Sequence, residues 1–248
     1  EVNGGSLSIE SSSLDRSSSA TRWNGLTVTN SNVVTIIDAT ISNAHFNEVI
    51  NSNLLISNSS FNIPANSWGL LLQNSITGYQ TEIINIEDGF GFYGDSNLTS
   101  EGIHLDTMKN PVHISNVDFE NLHCGILKCT IPYATDSISE CNFVNCDTGI
   151  SLCNNGRVQI QQCSFRNFQT GKQGTGIHLV ASSPIISECH FNNLYRGILT
   201  EFRIISGFDV ESSITNSNFN NCEMGIESRG SNHRLKENYF NRNNSGIV

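Results

Sequence analysis

The chain has 248 residues, with 13 basic against 23 acidic side chains and a formal net charge of -10. Without a basic stripe, nucleic acid and anionic membrane surfaces are poor partners, because both are held by clustered Lys and Arg. No apolar run approaches the ~20 residues that span a bilayer, and there is no initiator Met or signal peptide, so a soluble mature chain is expected, with any targeting segment outside it.

In chain order, the first third is written loosely. An aliphatic residue, a small residue three later and a large apolar residue five later recur as Ile9/Ser12/Leu14, Ile36/Ala39/Ile41 and Ile56/Ser59/Phe61. Gln73 to Ile83 is an insertion. The stretch from Ile83 to Leu105 keeps a closing Gly-Ile but offers both Phe90 and Phe92 for the large apolar slot, and so reads as an irregular coil. From Ile114 onward the pattern is explicit: six copies of a unit such as ISECNFVNCDTGI, with Phe at 119, 143, 165, 191, 219 and 240.

A period of twenty-odd residues without helical signature is one turn of a solenoid, in which each unit covers its apolar face only with its neighbours. Alternation with period 2 gives three short strands per coil: the Gly-Ile-x-Leu segment, as at Gly102, Gly149 and Gly176, the segment ending in Ile, and the x-Phe-x segment. A small residue marks the bend between the second and third: Ala39, Ser59, Val117, Cys141, Cys163, Cys189, Ser217 and Asn238. Stacking at about 4.8 Å then builds three interior ladders, which are Ile126/Ile150/Ile177/Ile198/Ile226/Ile247, Ile114/Ile138/Ile160/Ile186/Ile214/Leu235 and the Phe column.

About ten coils of three strands make a rod of roughly 45 to 50 Å. The repeat runs without a linker, so residues 1–248 form one all-β domain. It begins within a coil at GGSLSIESSSL and stops within a strand at Gly246-Ile247-Val248, without the cap a solenoid end needs, so a longer parent chain with further coils is expected.

These Asn- and Ser-rich repeats resemble the right-handed, single-stranded parallel β-helix of the pectate-lyase-like superfamily over essentially the whole chain. That family commonly carries an Asn ladder in the bend slot; here Asn238 keeps it, while Cys141, Cys163 and Cys189 replace it. Trp23-Asn24-Gly25-Leu26 after a Ser-rich coil also resembles very large bacterial surface proteins exported by the type IX route. The resemblance implies acidic polysaccharide along the outer face of the first strand, handled by carboxylates with calcium and an Arg or Lys base, or by two or three Asp for hydrolysis.

Eight Cys in a chain with so large a core need not form a disulfide framework. Cys141, Cys163 and Cys189 share the bend slot, and Cys146 and Cys222 share with Leu122, Phe168 and Leu194 the slot three residues after Phe, so all five read as buried thiols acting as small hydrophobes. Cys129 and Cys153 fall four residues after the strand Gly on adjacent coils with outward parity. A disulfide between them is within reach at one-coil spacing; two separate thiols are the other reading.

Gly89-Phe90-Gly91-Phe92-Tyr93-Gly94 fits the dinucleotide-binding glycine pattern, but DSNLTS follows and opens no helix, so it reads as a loop. The outward row of the first strand, two residues after Gly, is Thr27, Leu71, His104, Leu127, Ser151, His178, Leu199 and Glu227. That mixture excludes the flat hydroxyl face of an ice binder and is no catalytic row. Its best part is His104 with Asp106, on one face of one strand and near Glu87, Asp88, Asp95 and Glu101. Such a set could hold calcium through oxygen ligands; solvated loop acids are the other reading, and no firm metal site is drawn from it.

Catalysis is disfavoured. From Phe to the next Gly is six residues in five coils, and eleven only at TGKQGT, which leaves no deep cleft. No adjacent-coil Asp pair shares an outward column, as glycoside hydrolysis would require at roughly 5 to 9.5 Å. Arg196 and Arg203 lie coils away from Asp106, and Lys109 stands on a turn. Asp106-Thr107-Met108, Asp136-Ser137-Ile138 and the sequons at Asn58, Asn97 and Asn243 are inexpensive matches to sugar-acceptor patterns. The expectation is therefore a secreted or cell-surface bacterial module with no catalytic residues. It would act as an adhesin, spacer or carbohydrate-contacting rod against surface polysaccharide or another surface protein. The alternative is a polysaccharide lyase or glycoside hydrolase acting on acidic glycans.

Overall fold

The computed structural model describes every residue except 16–22, 76, 87–88, 96–97, 130–134, 155–157, 169–172 and 202–210. Among the described residues there is no helix; the strands stack into three sheets of 11, 10 and 10 strands, and every strand pairs in parallel with the third strand before and after it in chain order. That order is a β-helix, and the ladders follow the sequence columns. Ile126, Ile150, Ile177, Ile198, Ile226 and Ile247 are register partners in the first sheet, as are Ile114, Ile138, Ile160, Ile186, Ile214 and Leu235 in the second.

In the third sheet Leu14 and Ile41 lead into a column of eight Phe. Phe92, not Phe90, fills the irregular coil. From Phe61 to Phe240 successive rings lie 4.7 to 5.4 Å apart and within 10° of parallel. The coil spacing sets that separation, and parallel planes at this distance are offset, the arrangement that ring quadrupoles tolerate.

The paired Gly of each unit exists to make room for this column. A Cβ at Gly149 would stand 2.6 Å from the Gly176 carbonyl oxygen and 2.6 Å from Cδ1 of Phe165, although its φ is ordinary. Gly-Ile and Phe in successive units are thus two halves of one fit.

The bend between second and third strands is sharper than the small residue alone implies. The residue before it takes a left-handed conformation, with φ of 51° at Asp38, 54° at Asn116, 56° at Glu140 and Glu188, and 57° at Glu237. The small side chain then turns inward, and where it carries a donor it returns a hydrogen bond to the backbone. Cys141, Cys163 and Cys189 Sγ donate to the carbonyls of Ser139, Gln161 and Ser187 at 3.2 to 3.3 Å. Asn238 donates to the Ile214 carbonyl and accepts from the Ser217 N–H, so it serves two coils.

One position departs from its expected column, and the irregular coil resolves in the same way. Phe168 is 67% exposed rather than aligned with Leu122, Cys146, Leu194 and Cys222, because Asn167 is 3% exposed and takes the interior place. The Asn167 amide donates to the Gln173 carbonyl, anchoring the end of the inserted loop, a bond Phe could not make. Asn85 does the same for the irregular coil, donating to the carbonyls of Phe90 and Asn116, and Ile86 beside it is 80% exposed.

Candidate functional site

The outer face of the first sheet carries the surface chemistry. Glu48 stands in register between Thr27 and Leu71 in the row that continues through His104, Leu127, Ser151, His178, Leu199 and Glu227. It escaped the sequence reading because its coil lacks the Gly-Ile marker. A neighbouring row places Phe46, Trp68 and Glu101 in succession.

Asn47 positions this region from inside. It is 2% exposed, accepts the Leu26 N–H at 3.0 Å and donates to the Gly69 carbonyl at 2.8 Å, tying three coils together beneath Phe46 and Trp68. Outside, Trp68 is 37% exposed, with its ring centred 6.5 Å from Phe46 and 5.2 Å from His104; His45 lies 4.9 Å from Phe46. Four rings from three coils form an aromatic patch. A shift of pairing between Trp68 and Leu71 turns this strand out of simple register, and single-coil templates hide the cluster for that reason.

Carboxylates edge the patch. Glu101 Oε2 lies 3.5 Å from His104 Nδ1, and among the described residues neither atom has a hydrogen-bond partner although both are shielded from solvent. Asp106 shares the outward face of its strand with His104, accepting from Gln73 Nε2 at 2.6 Å and from the Thr107 hydroxyl at 3.0 Å. Asp95 follows the Phe92 strand, its carbonyl accepting the Leu98 N–H. Glu87 and Asp88 lie outside the described residues. Among the described residues no three His, Cys, Asp or Glu side chains are gathered closely enough to share a metal ion.

Toward the other end of the same face lies a closed ion network. Arg196 and Arg229 both hold Glu227, Arg229 also holds Glu201 at 2.7 Å, and His178 lies 3.4 Å from Glu201. Burial alone would raise the Glu227 carboxyl, but the two guanidiniums outweigh it and hold its pKa below the usual value. Arg196 also stacks 4.5 Å over Tyr195. Among the described residues, Arg196 and Arg229 are thus committed to Glu201 and Glu227.

Cys129 and Cys153 form a disulfide between adjacent coils, with Cα atoms 4.3 Å apart. His233 Nδ1 lies 2.6 Å from the Ser212 hydroxyl oxygen and Nε2 lies 3.0 Å from those of Thr200 and Ser228, so one ring nitrogen donates while the other accepts, and burial lowers its pKa. Inside the rod, Lys128 and Asp136 pair while each is 2% exposed. The interior ladders read from the sequence were those of Ile and Phe, and this pair lies outside them. The inward column holding Leu72, Leu105, Leu152 and Leu179 would have flagged Lys128 at once. Of the sugar-acceptor patterns, Asn243 is spent internally, accepting the Cys222 N–H and donating to the Phe219 carbonyl.

No family model and no curated protein matches the chain. Among solved structures, a double mutant of the periplasmic alginate epimerase AlgG aligns with all of this chain and 70% of that one, at 12% identity and a TM-score of 0.55. A single mutant of the same epimerase aligns with 98% of this chain and 73% of its own, at 12% identity and a TM-score of 0.48. The first likeness shows a shared β-helix fold. Among the described residues no helix is long and apolar enough to cross a membrane.

Proposed function

We propose that this chain is a non-catalytic, exported surface module that contacts glycans along the outer face of its first sheet. The aromatic patch of Phe46, Trp68 and His104, edged by Glu48, Glu101 and Asp106, carries this reading. A pyranose ring stacks its apolar face on an exposed indole, and the flanking carboxylates accept its hydroxyls in charge-assisted hydrogen bonds. The structural neighbour is an alginate epimerase, which makes acidic polysaccharide a ligand class to test. Three carboxylates beside Trp68 repel an anionic glycan, so an acidic chain would need calcium between the two sets of carboxylates, whereas a neutral one would not. Turnover is disfavoured because general acid and base must both reach one substrate, and the Arg groups of this face are engaged with Glu201 and Glu227. Placement on a bacterial surface, through the type IX route or another, and a place in the pectate-lyase-like superfamily belong to the same reading.

The test is tryptophan quenching with neutral glycans and with alginate or pectin, with and without calcium, on the native chain and on Trp68→Ala. Saturable binding that Trp68→Ala abolishes, with no product formed, is expected. Binding unchanged in Trp68→Ala refutes the site. An unsaturated, ultraviolet-absorbing product that disappears in Asp106→Ala would replace the reading with a lyase.

A further inference from the structure

We propose that Lys128 and Asp136 condense into an intramolecular isopeptide bond that crosslinks the first and second sheets within one coil. The two side chains meet in the interior of the rod, Nζ against Oδ2, and each is 2% exposed. The coils on either side show what the positions normally hold: Leu105 and Leu152 flank Lys128, and Val158 is the register partner of Asp136. The surrounding wall is aliphatic, built from these residues with Val112 and three isoleucines, and encloses ≈ 10 Å³ of free space, about enough for one water centre.

Two ions so placed have given up their hydration for each other and, among the described residues, one backbone N–H on Oδ1, a poor exchange in an apolar site. The reaction runs through the neutral pair, reached when Nζ passes one proton to Oδ2. What remains is an amine lone pair held against a protonated carboxyl group, a nucleophile and an electrophile fixed in contact. Attack forms the Nζ–Cγ bond and moves an electron pair onto Oδ1. That oxygen already accepts the Val112 N–H at 3.0 Å, so a donor is waiting where the negative charge develops. When the carbonyl re-forms, the Cγ–Oδ2 bond breaks. Oδ2 leaves as water with the proton it received earlier and a second one from Nζ. The ammonium and carboxylate become one amide and one water, with no oxidant, reductant or further reactant.

The product puts a neutral link where two charges stood, and its N–H and carbonyl need far less hydration than the ions they replace. Neither group touches the outer face, so the reaction is independent of glycan binding.

Mass spectrometry of the purified chain, denatured and fully reduced, decides the matter. The expected mass is lower than that of the sequence by one water. Trypsin should fail to cut after Lys128 and release residues 110–157 as one peptide carrying the same deficit, and fragmentation should place the deficit across Lys128 and Asp136. Lys128→Arg and Asp136→Ala should each return to the full sequence mass, whether or not those variants fold as well. A native chain at full sequence mass overturns the proposal and leaves an ion pair. A deficit that persists in Asp136→Ala also overturns it, because the water has then been lost elsewhere.

Discussion

Replacing Gly149 by Ala isolates the fit between the Gly and Phe columns. The added methyl carbon would lie 2.6 Å from the Gly176 carbonyl oxygen and 2.6 to 2.8 Å from Cδ1 and Cε1 of Phe165. Its φ is not in the left-handed region, so the cost is one of space. The carbonyl belongs to the adjacent coil and cannot retreat without opening the ladder, which places the effect toward the upper end of the usual 1–3 kcal/mol for an overpacked core, about 2 to 3 kcal/mol. The chain supplies its own control. Gly246 occupies the same slot of the repeat, yet a methyl carbon there meets nothing closer than 3.8 Å, so Gly246→Ala should be neutral or gain up to about 0.5 kcal/mol from the stiffer unfolded chain. Urea unfolding followed by far-ultraviolet circular dichroism reads both midpoints. Combining Gly149→Ala with Phe165→Leu should recover part of the loss, through the ring contact, and leave the part owed to the carbonyl. Equal midpoints for Gly149→Ala and Gly246→Ala would refute the complementarity, as would strictly additive losses in the double variant.

Two predictions concern pH. Burial pushes the thiols of Cys124, Cys146 and Cys163 upward, Cys146 to about 12, and contact with Cys163 together with burial does the same for Cys189. A folded pKa above the unfolded one gives stability that is complete below the unfolded thiol value of about 8.5 and is lost as pH rises past it, by up to about 1.4 kcal/mol per thiol per pH unit. Unfolding midpoints under reducing conditions should therefore fall steeply above pH ~9, while the native chain resists thiol reagents; a flat alkaline limb or rapid native labelling would contradict this burial. His233 has the opposite sign. Its folded pKa is lowered, so its contribution is present above about 6.5 and lost as pH falls below that value. In His233→Gln the decline below pH ~6.5 should be shallower, and an unchanged profile would mean that the imidazole does not titrate with folding.

How much could be read in advance follows from what repetition exposes. The Ile, Phe and Gly columns were legible because one geometric demand is restated in every coil, and an error in any single copy is corrected by its neighbours. Phe168 was misplaced because the template gave the interior to the apolar residue, and Ile86 in the irregular coil was given no column. At both positions an adjacent Asn goes inward to hold loop carbonyls, a demand that arises once and leaves no column. Trp68, Phe46 and His45 were missed for a related reason, since their proximity depends on a local change of pairing in coils without a Gly-Ile marker. His104 and Asp106 were grouped on one strand, but Glu101, read only as a neighbour in the irregular coil, stands on that strand too, and the Gln73 partner of Asp106 comes from the coil below.

The disulfide between Cys129 and Cys153 has a mechanical consequence. In a stack held by hydrogen bonds running along its axis, tension between the two ends peels coils away in turn, and each lost coil lengthens the chain by its own contour. Cys129 and Cys153 are 24 residues apart in sequence. While they remain joined, that loop cannot be drawn out, which withholds about 80 Å of extension at roughly 3.4 Å per residue. A reducing environment would return it. A rod anchored at one end and pulled at the other would then have a reach set partly by the redox state around it.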